Sequence, residues 1–258
     1  YDAIAQAQSG MMSITGEAGG PPLRPGVATA DIGAGMWATI GILAALHARE
    51  TTGHGQHVDV SLLDGQLAWL TYVAGGWFAT GTSPGPHGSA HPTIVPYQAL
   101  PTADSHLMIA AGNDKLFQRL TEVLEVPELA TDPRFAGNPD RVRHRDELIP
   151  LLESALAGRG SAEWAERLDA AGVPCAPIAT VEEALTSPQA KARDMVVELD
   201  HPTVGKLRTL GSPLKLGNTP TRFRSAPPLI GQHTDEVLAE AGYTPEQIAD
   251  LHAAGAVR

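Results

Sequence analysis

Cysteine occurs once in 258 residues, at Cys175, so neither an intramolecular disulfide framework nor a multi-cysteine zinc site can form. A reducing, cytoplasmic setting is the expectation that follows. Positive charge is also scarce: 18 Lys plus Arg stand against 29 Asp plus Glu, a formal net charge of −11. A chain that neutralises phosphates needs a basic face, so neither nucleic acid nor an anionic membrane is expected as a partner. Long hydrophobic runs are missing as well. The longest, Ile32 to Leu46, is interrupted by Gly33, Gly35, Thr39 and Gly41 and is shorter than the roughly 20 residues that span a bilayer, so it reads as a buried helix. There is no Gly-rich phosphate loop of the P-loop type, no HExxH and no GxSxG. The first residues show no charged, apolar leader, and the chain opens on Tyr1 rather than Met.

What is present suits a folded chain. Hydrophobic residues make up 43% and charged residues 18%, enough apolar material for a core and too little repulsion for disorder. The length allows one large domain or two smaller ones, and small-molecule chemistry or protein association is the expected work. Gly19-Gly20-Pro21-Pro22 and Pro25-Gly26 form a loop. Asp31 then stands where a helix N-cap belongs, ahead of a helix ending near Thr51-Thr52-Gly53. Residues 56–61 alternate like a half-buried strand, and Leu62 to Thr80 resumes a helical pattern, so the class is α/β. A Gly- and Pro-rich loop follows from Gly81 to Pro96 and marks a boundary.

Beyond it, residues 97–100 and 106–111 flank Thr102-Ala103-Asp104-Ser105 as a hairpin. Asn113 precedes a helix through Leu124, and further helices are predicted over Asp140–Ala157 and Ser161–Ala171. Residues 173–178 return to strand character, and Thr180-Val181-Glu182-Glu183 has the order of a capping box. Strands are predicted at 195–199 and 207–210, with closing helices from Thr234 and from near Glu246.

Asp31 is the carboxylate of most chemical interest. Within Asp31-Ile32-Gly33-Ala34-Gly35 side-chain bulk is minimal, and the positive end of a helix favours a carboxylate. Such a group could attack an activated acyl carbon beside backbone donors that hold the developing oxyanion. By position alone, plain capping is the simpler reading. The loop around Gly85-Pro86-His87-Gly88-Ser89-Ala90-His91-Pro92 reads either as a lid with anion-binding amides or as a linker. His87 and His91 lack a carboxylate or Cys partner, so no metal site is expected. Cys175 between Pro174 and Pro177 reads as a packing residue. Arg24 could pair with a substrate carboxylate, although a surface arginine in such a loop is the default.

Several separated motifs together resemble the class III CoA-transferases, the CaiB/BaiF family. They are Tyr1-Asp2-Ala3-Ile4-Ala5-Gln6 continuing to Gly16, Ala28-Thr29-Ala30-Asp31, Gly41 to Leu46, Thr52 to Gln56, His91 to Tyr97, Val173 to Pro177 and Leu229 to Thr234. The resemblance implies a Rossmann-like large domain, incomplete at its N-terminus here, with a smaller α+β domain, two chains interlocking in a homodimer. On that pattern residues 1–84 carry the nucleophile in the large domain, 85–172 form the small domain with its entry loop, and 173–258 return to the large domain and C-terminal helices.

The resemblance implies that Asp31 is the nucleophile, that Leu62 lies against the CoA moiety, and that Gly88, Ser89 and Ala90 form the substrate loop. Coenzyme A is then a substrate, with no permanently bound cofactor, alongside an acyl-CoA donor and a small carboxylic acid acceptor. Two rivals remain at this stage. An α-methylacyl-CoA racemase would need a His where this chain has Tyr1, and a phenol is a poor base at neutral pH. A non-catalytic acyl-CoA-binding subunit or fragment is the other.

Overall fold

The computed structural model describes residues 1–258, a mixed α/β chain of helices with two small sheets. Compactness divides it into two units, Tyr1–Ile178 and Ala179–Arg258. The first opens with α1 (Asp2–Gln8), α2 (Thr29–Thr52), α3 (Leu62–Ala68) and α4 (Thr71–Thr80). Glycines let α2 and the α3 region interlock. A Cβ on Gly33 would lie 3.0 Å from the Trp69 ring, and one on Gly65 would lie 3.0 Å from the Trp37 ring, so each indole fills the space a glycine leaves. Gly53, with φ 73°, ends α2 in the left-handed conformation, its N–H donating to the Arg49 carbonyl at 2.9 Å.

Three expectations for this stretch need correction. Residues 56–61 form no strand, since they pair with neither sheet, and Ser61 instead caps α3 by accepting from the Asp64 N–H at 3.3 Å. The helix expected over 62–80 is interrupted at Trp69-Leu70, where the chain turns through Thr71 at φ 38°. The helix through Ile32–Leu46 is long but not buried: Ile32, Met36, Ile40, Ile42 and Leu43 are exposed. By length and composition α2 would pass as a membrane span, a weak criterion that core helices of soluble proteins also meet.

The rest of the first unit is built on a three-stranded antiparallel sheet of β1 (Tyr97–Pro101), β2 (His106–Ala110) and β3 (Cys175–Pro177), in that order. The expected hairpin forms with Tyr97 opposite Ala110 and Pro101 opposite His106, its turn closed by Thr102 N–H to the Ser105 carbonyl at 2.9 Å. Around the sheet lie α5 (Asp114–Val123), α6 (Glu128–Thr131), α7 (Asn138–Arg143), α8 (Arg145–Leu156) and α9 (Ser161–Ala170). Leu148, Leu152 and Leu156 recur at four-residue spacing, share one face of α8, and are buried with Leu100, Leu107, Ile109, Phe117 and Trp164. Asn113 caps α5 as expected, accepting from the Leu116 N–H at 2.9 Å.

The single helix expected over 140–157 is two helices. His144 leaves helical geometry, with φ −107° and ψ 28°, and ends α7 before α8 begins. β3 pairs with β2, so residues 175–177 join the small sheet. Buried Arg141 ties this unit together. Its guanidinium donates to the Val95 carbonyl at 2.7 Å, the Phe135 carbonyl at 3.0 Å and Asp114 Oδ1 at 2.7 Å.

The second unit holds α10 (Val181–Thr186), α11 (Pro188–Ala192), the antiparallel hairpin of β4 (Val196–His201) and β5 (Gly205–Leu210), then α12 (Thr234–Glu240) and α13 (Pro245–Ala253). The capping box read at Thr180 is formed, with Glu183 reaching back to the Thr180 N–H at 2.7 Å. A second box caps α13 through Thr244 and Gln247.

Candidate functional site

Asp31 is not the N-cap of its helix. The N-cap position belongs to Ala28, whose methyl group cannot accept a hydrogen bond, and Asp31 is the third residue of α2, in its first turn. The missing cap comes from another helix. Asp2, at the start of α1, brings its Oδ1 to the Ala30 N–H at 2.9 Å. The same carboxylate accepts from Gln6 Nε2 at 2.8 and 3.0 Å. The Gln6 amide, the N–H groups of Ala30 and Asp31, and the charge of Arg24 together hold the Asp2 carboxyl below its ordinary range. From the other side Thr29 Oγ1 meets Gln66 Oε1 at 3.4 Å, with Gln66 fully buried on α3.

With these partners in place, the Asp31 side chain is exposed and makes no hydrogen bond or ion pair. Gly33, expected to open the helix start, is instead closed by Trp69, whereas a Cβ on Gly35 would meet nothing within 4 Å. Leu62 is half-buried at the first position of α3, a helix that packs on α2.

The 85–93 loop is folded against the rest of its unit. Gly88, at φ 61°, donates its N–H to the Gly16 carbonyl at 2.8 Å, and a Cβ there would come within 2.8 Å of Glu17 Oε2. Gly88 and Ala90 line a cavity of about 390 Å³ together with Ile14, Tyr72, Trp77 and His87. Ser89 is engaged elsewhere, its Oγ accepting from the Ala99 N–H at 3.0 Å. Neither Asp31 nor Leu62 lines this cavity, so the structure gathers part of the loop around one pocket and leaves the carboxylate outside it.

His91 secures the loop's end. Its ring stacks on Tyr72 with centroids 5.8 Å apart and meets Tyr97 edge-on at 5.5 Å, while its carbonyl accepts from Arg145 at 2.6 Å. Arg24 is exposed and its guanidinium reaches only the Pro25 carbonyl. Burial pushes the Cys175 thiol up, which keeps it protonated and suits the packing role.

Sequence reasoning missed Asp2, Gln6 and Gln66 as the groups that fix the α2 start. The available signal was Ala28, an unsuitable capping residue immediately ahead of a long helix.

Asp31 is thus a free, exposed carboxylate in the first turn of a helix on a mixed α/β scaffold. The chain belongs to CoA-transferase family III, whose pattern it matches over residues 1–234. It is 42% identical over 217 residues to an acetyl-CoA:oxalate CoA-transferase of Acetobacter aceti, covering 84% of this chain and 54% of that protein. It is 39% identical over 240 residues to a succinyl-CoA:glutarate CoA-transferase of Mus musculus, covering 93% and 55%. Among solved structures, a CaiB/BaiF family protein from Brucella suis superposes with a TM-score of 0.80 at 38% identity, over 93% of this chain and 62% of that one. The chain therefore spans little more than half the length of these curated relatives.

Proposed function

We propose that the protein transfers CoA from an acyl-CoA thioester to a small carboxylic acid, with Asp31 as nucleophile. The observation that carries the reading is the unengaged, exposed Asp31 carboxylate, in a helix turn already capped by Asp2. Asp31 attacks the thioester carbonyl, forming an aspartyl–acyl anhydride and releasing CoA thiolate. The thiolate attacks the aspartyl carbonyl, giving an aspartyl-CoA thioester and the donor's free carboxylate. The acceptor carboxylate then attacks that thioester, forming a second anhydride and releasing thiolate again. Attack of the thiolate on the acceptor's acyl carbon yields the new acyl-CoA and regenerates Asp31. Each step exchanges one acyl bond for another, so no redox partner is needed.

The names of the relatives, which pair succinyl-CoA with glutarate and acetyl-CoA with oxalate, support a small carboxylate as acceptor. Family resemblance supports Leu62 as a contact to CoA, Gly88, Ser89 and Ala90 as the substrate loop, and a homodimer as the working state. The test is covalent capture. Incubation with succinyl-CoA followed by hydroxylamine should convert Asp31 to a hydroxamate, read by peptide mass spectrometry, and Asp31→Ala should abolish the adduct. Absence of any adduct at Asp31 in the wild-type protein sinks the reading.

A further inference from the structure

The first turn of a helix leaves N–H groups without intrahelical partners, and a carboxylate within that turn is well placed to satisfy one of them. An Asp31 side chain folded back in that way would be less available for attack on a substrate. In this chain the donor at Ala30 is already taken by Asp2, contributed from a different helix at 2.9 Å. Asp2 is fixed in turn by the amide of Gln6, which is completely buried, and Thr29 is tied to the equally buried Gln66. The start of α2 is thus held from α1 and from α3 without any contribution from the Asp31 side chain. Ala28, at the N-cap, contributes no acceptor of its own.

We propose that Asp2 is a positioning residue for the Asp31 nucleophile. By taking the Ala30 N–H it performs the capping that Asp31 would otherwise perform, and it keeps the Asp31 carboxylate turned outward. The inference rests on the reading of Asp31 as nucleophile and adds a second carboxylate with a separate duty. Asp2 forms no bond to substrate, and its role rests on a side-chain oxygen that accepts the Ala30 N–H.

The experiment measures the rate of Asp31 labelling by succinyl-CoA in the wild-type protein and in Asp2→Ala, Asp2→Asn and Gln6→Met. Amide hydrogen exchange over residues 28–34 is followed in the same samples. In Asp2→Ala the labelling rate at saturating succinyl-CoA should fall roughly 10-fold, the size expected for loss of a cap, with the half-saturation concentration unchanged. Exchange at Ala30 should rise in parallel. Asp2→Asn keeps an oxygen acceptor and should recover most of the rate, and Gln6→Met, which removes the amide orienting Asp2, should fall between the two. A general loss of fold would instead raise exchange throughout and change half-saturation as well.

Wild-type labelling with an unchanged rate in Asp2→Ala overturns this inference alone. Failure of Asn to restore the rate while Ala30 protection returns also overturns it, because capping would then not be the operative role. No label in the wild-type protein overturns the nucleophile and this inference together.

Discussion

At the scale of single residues, the chain separates the acid that organises a helix start from the acid left free beside it. Asp31 could be singled out from the sequence because it stands near a glycine-containing helix start, within a stretch that resembles the CoA-transferase family. Asp2 was not legible in that role, since its hydrogen-bond partner lies 28 residues away and no local spacing connects them. Arg141 was hidden for the same reason. Its sequence context is a polar helix, yet its side chain is fully buried and bonded to the carbonyls of Val95 and Phe135, 46 and 6 residues away. Replacing it with Met would keep much of its bulk but leave both carbonyls without this donor, at about 1–3 kcal/mol each. We expect Arg141→Met to lower stability by about 2–5 kcal/mol in urea unfolding. Arg141→Lys should be milder but still destabilising, because an ammonium cannot reproduce the guanidinium's fixed set of donors. A midpoint unchanged in Met would mean that the ring of contacts is dispensable.

At the scale of elements, the legible parts were those specified locally. A four-residue turn between two short stretches marked the hairpin of β1 and β2; side-chain caps marked the starts of α5 and α10. Elements defined by distant partners were misread. Residues 56–61 have the period of a strand, but period makes a strand only where a ladder partner exists. The burial of α2 was misjudged on similar grounds: its composition announces an apolar helix, whereas the amount of cover depends on which elements pack on it. What does pack is specified by glycine. Gly33 and Gly65 receive Trp69 and Trp37 so closely that a methyl group at either position would have to push the indole back by a few tenths of an ångström. Gly33→Ala and Gly65→Ala should each destabilise by about 1–3 kcal/mol through overpacking. Gly35→Ala, in the same helix but facing open space, should instead stabilise by up to about 1 kcal/mol, the ordinary helix preference of Ala over Gly. Thermal melts of the three variants compare them directly, and equal shifts for Gly33 and Gly35 would show that the indole contact does not govern the interlock.

At the scale of the whole molecule, acid stability follows from carboxylates distributed over both units. Asp2 is held low by the Gln6 amide, Asp104 by the Ser161 N–H and Asp132 by the Arg134 guanidinium, all in the first unit. In the second, Glu183 is held low by the Thr180 N–H, and Glu246 by its own N–H. Each folded value lies below the unfolded reference of 3.8 for Asp or 4.5 for Glu. The folded state therefore binds fewer protons than the unfolded chain in this range, so stability increases with pH through it. The contribution is complete above the reference values and is lost as pH falls through the lower, folded ones. Between about pH 5 and 7 these groups should leave the urea midpoint flat, and below about pH 4 the midpoint should drop in both units. Protonation of the acids also leaves 18 Lys plus Arg and 10 His uncompensated, adding repulsion in the same direction. Urea titrations from pH 7 to 3, read by tryptophan fluorescence for the first unit and by exchange of the β4–β5 amides for the second, separate the two. Asp104→Asn should flatten the acid limb for the first unit and leave the second unchanged; an equal effect on both would show that the two units unfold as one.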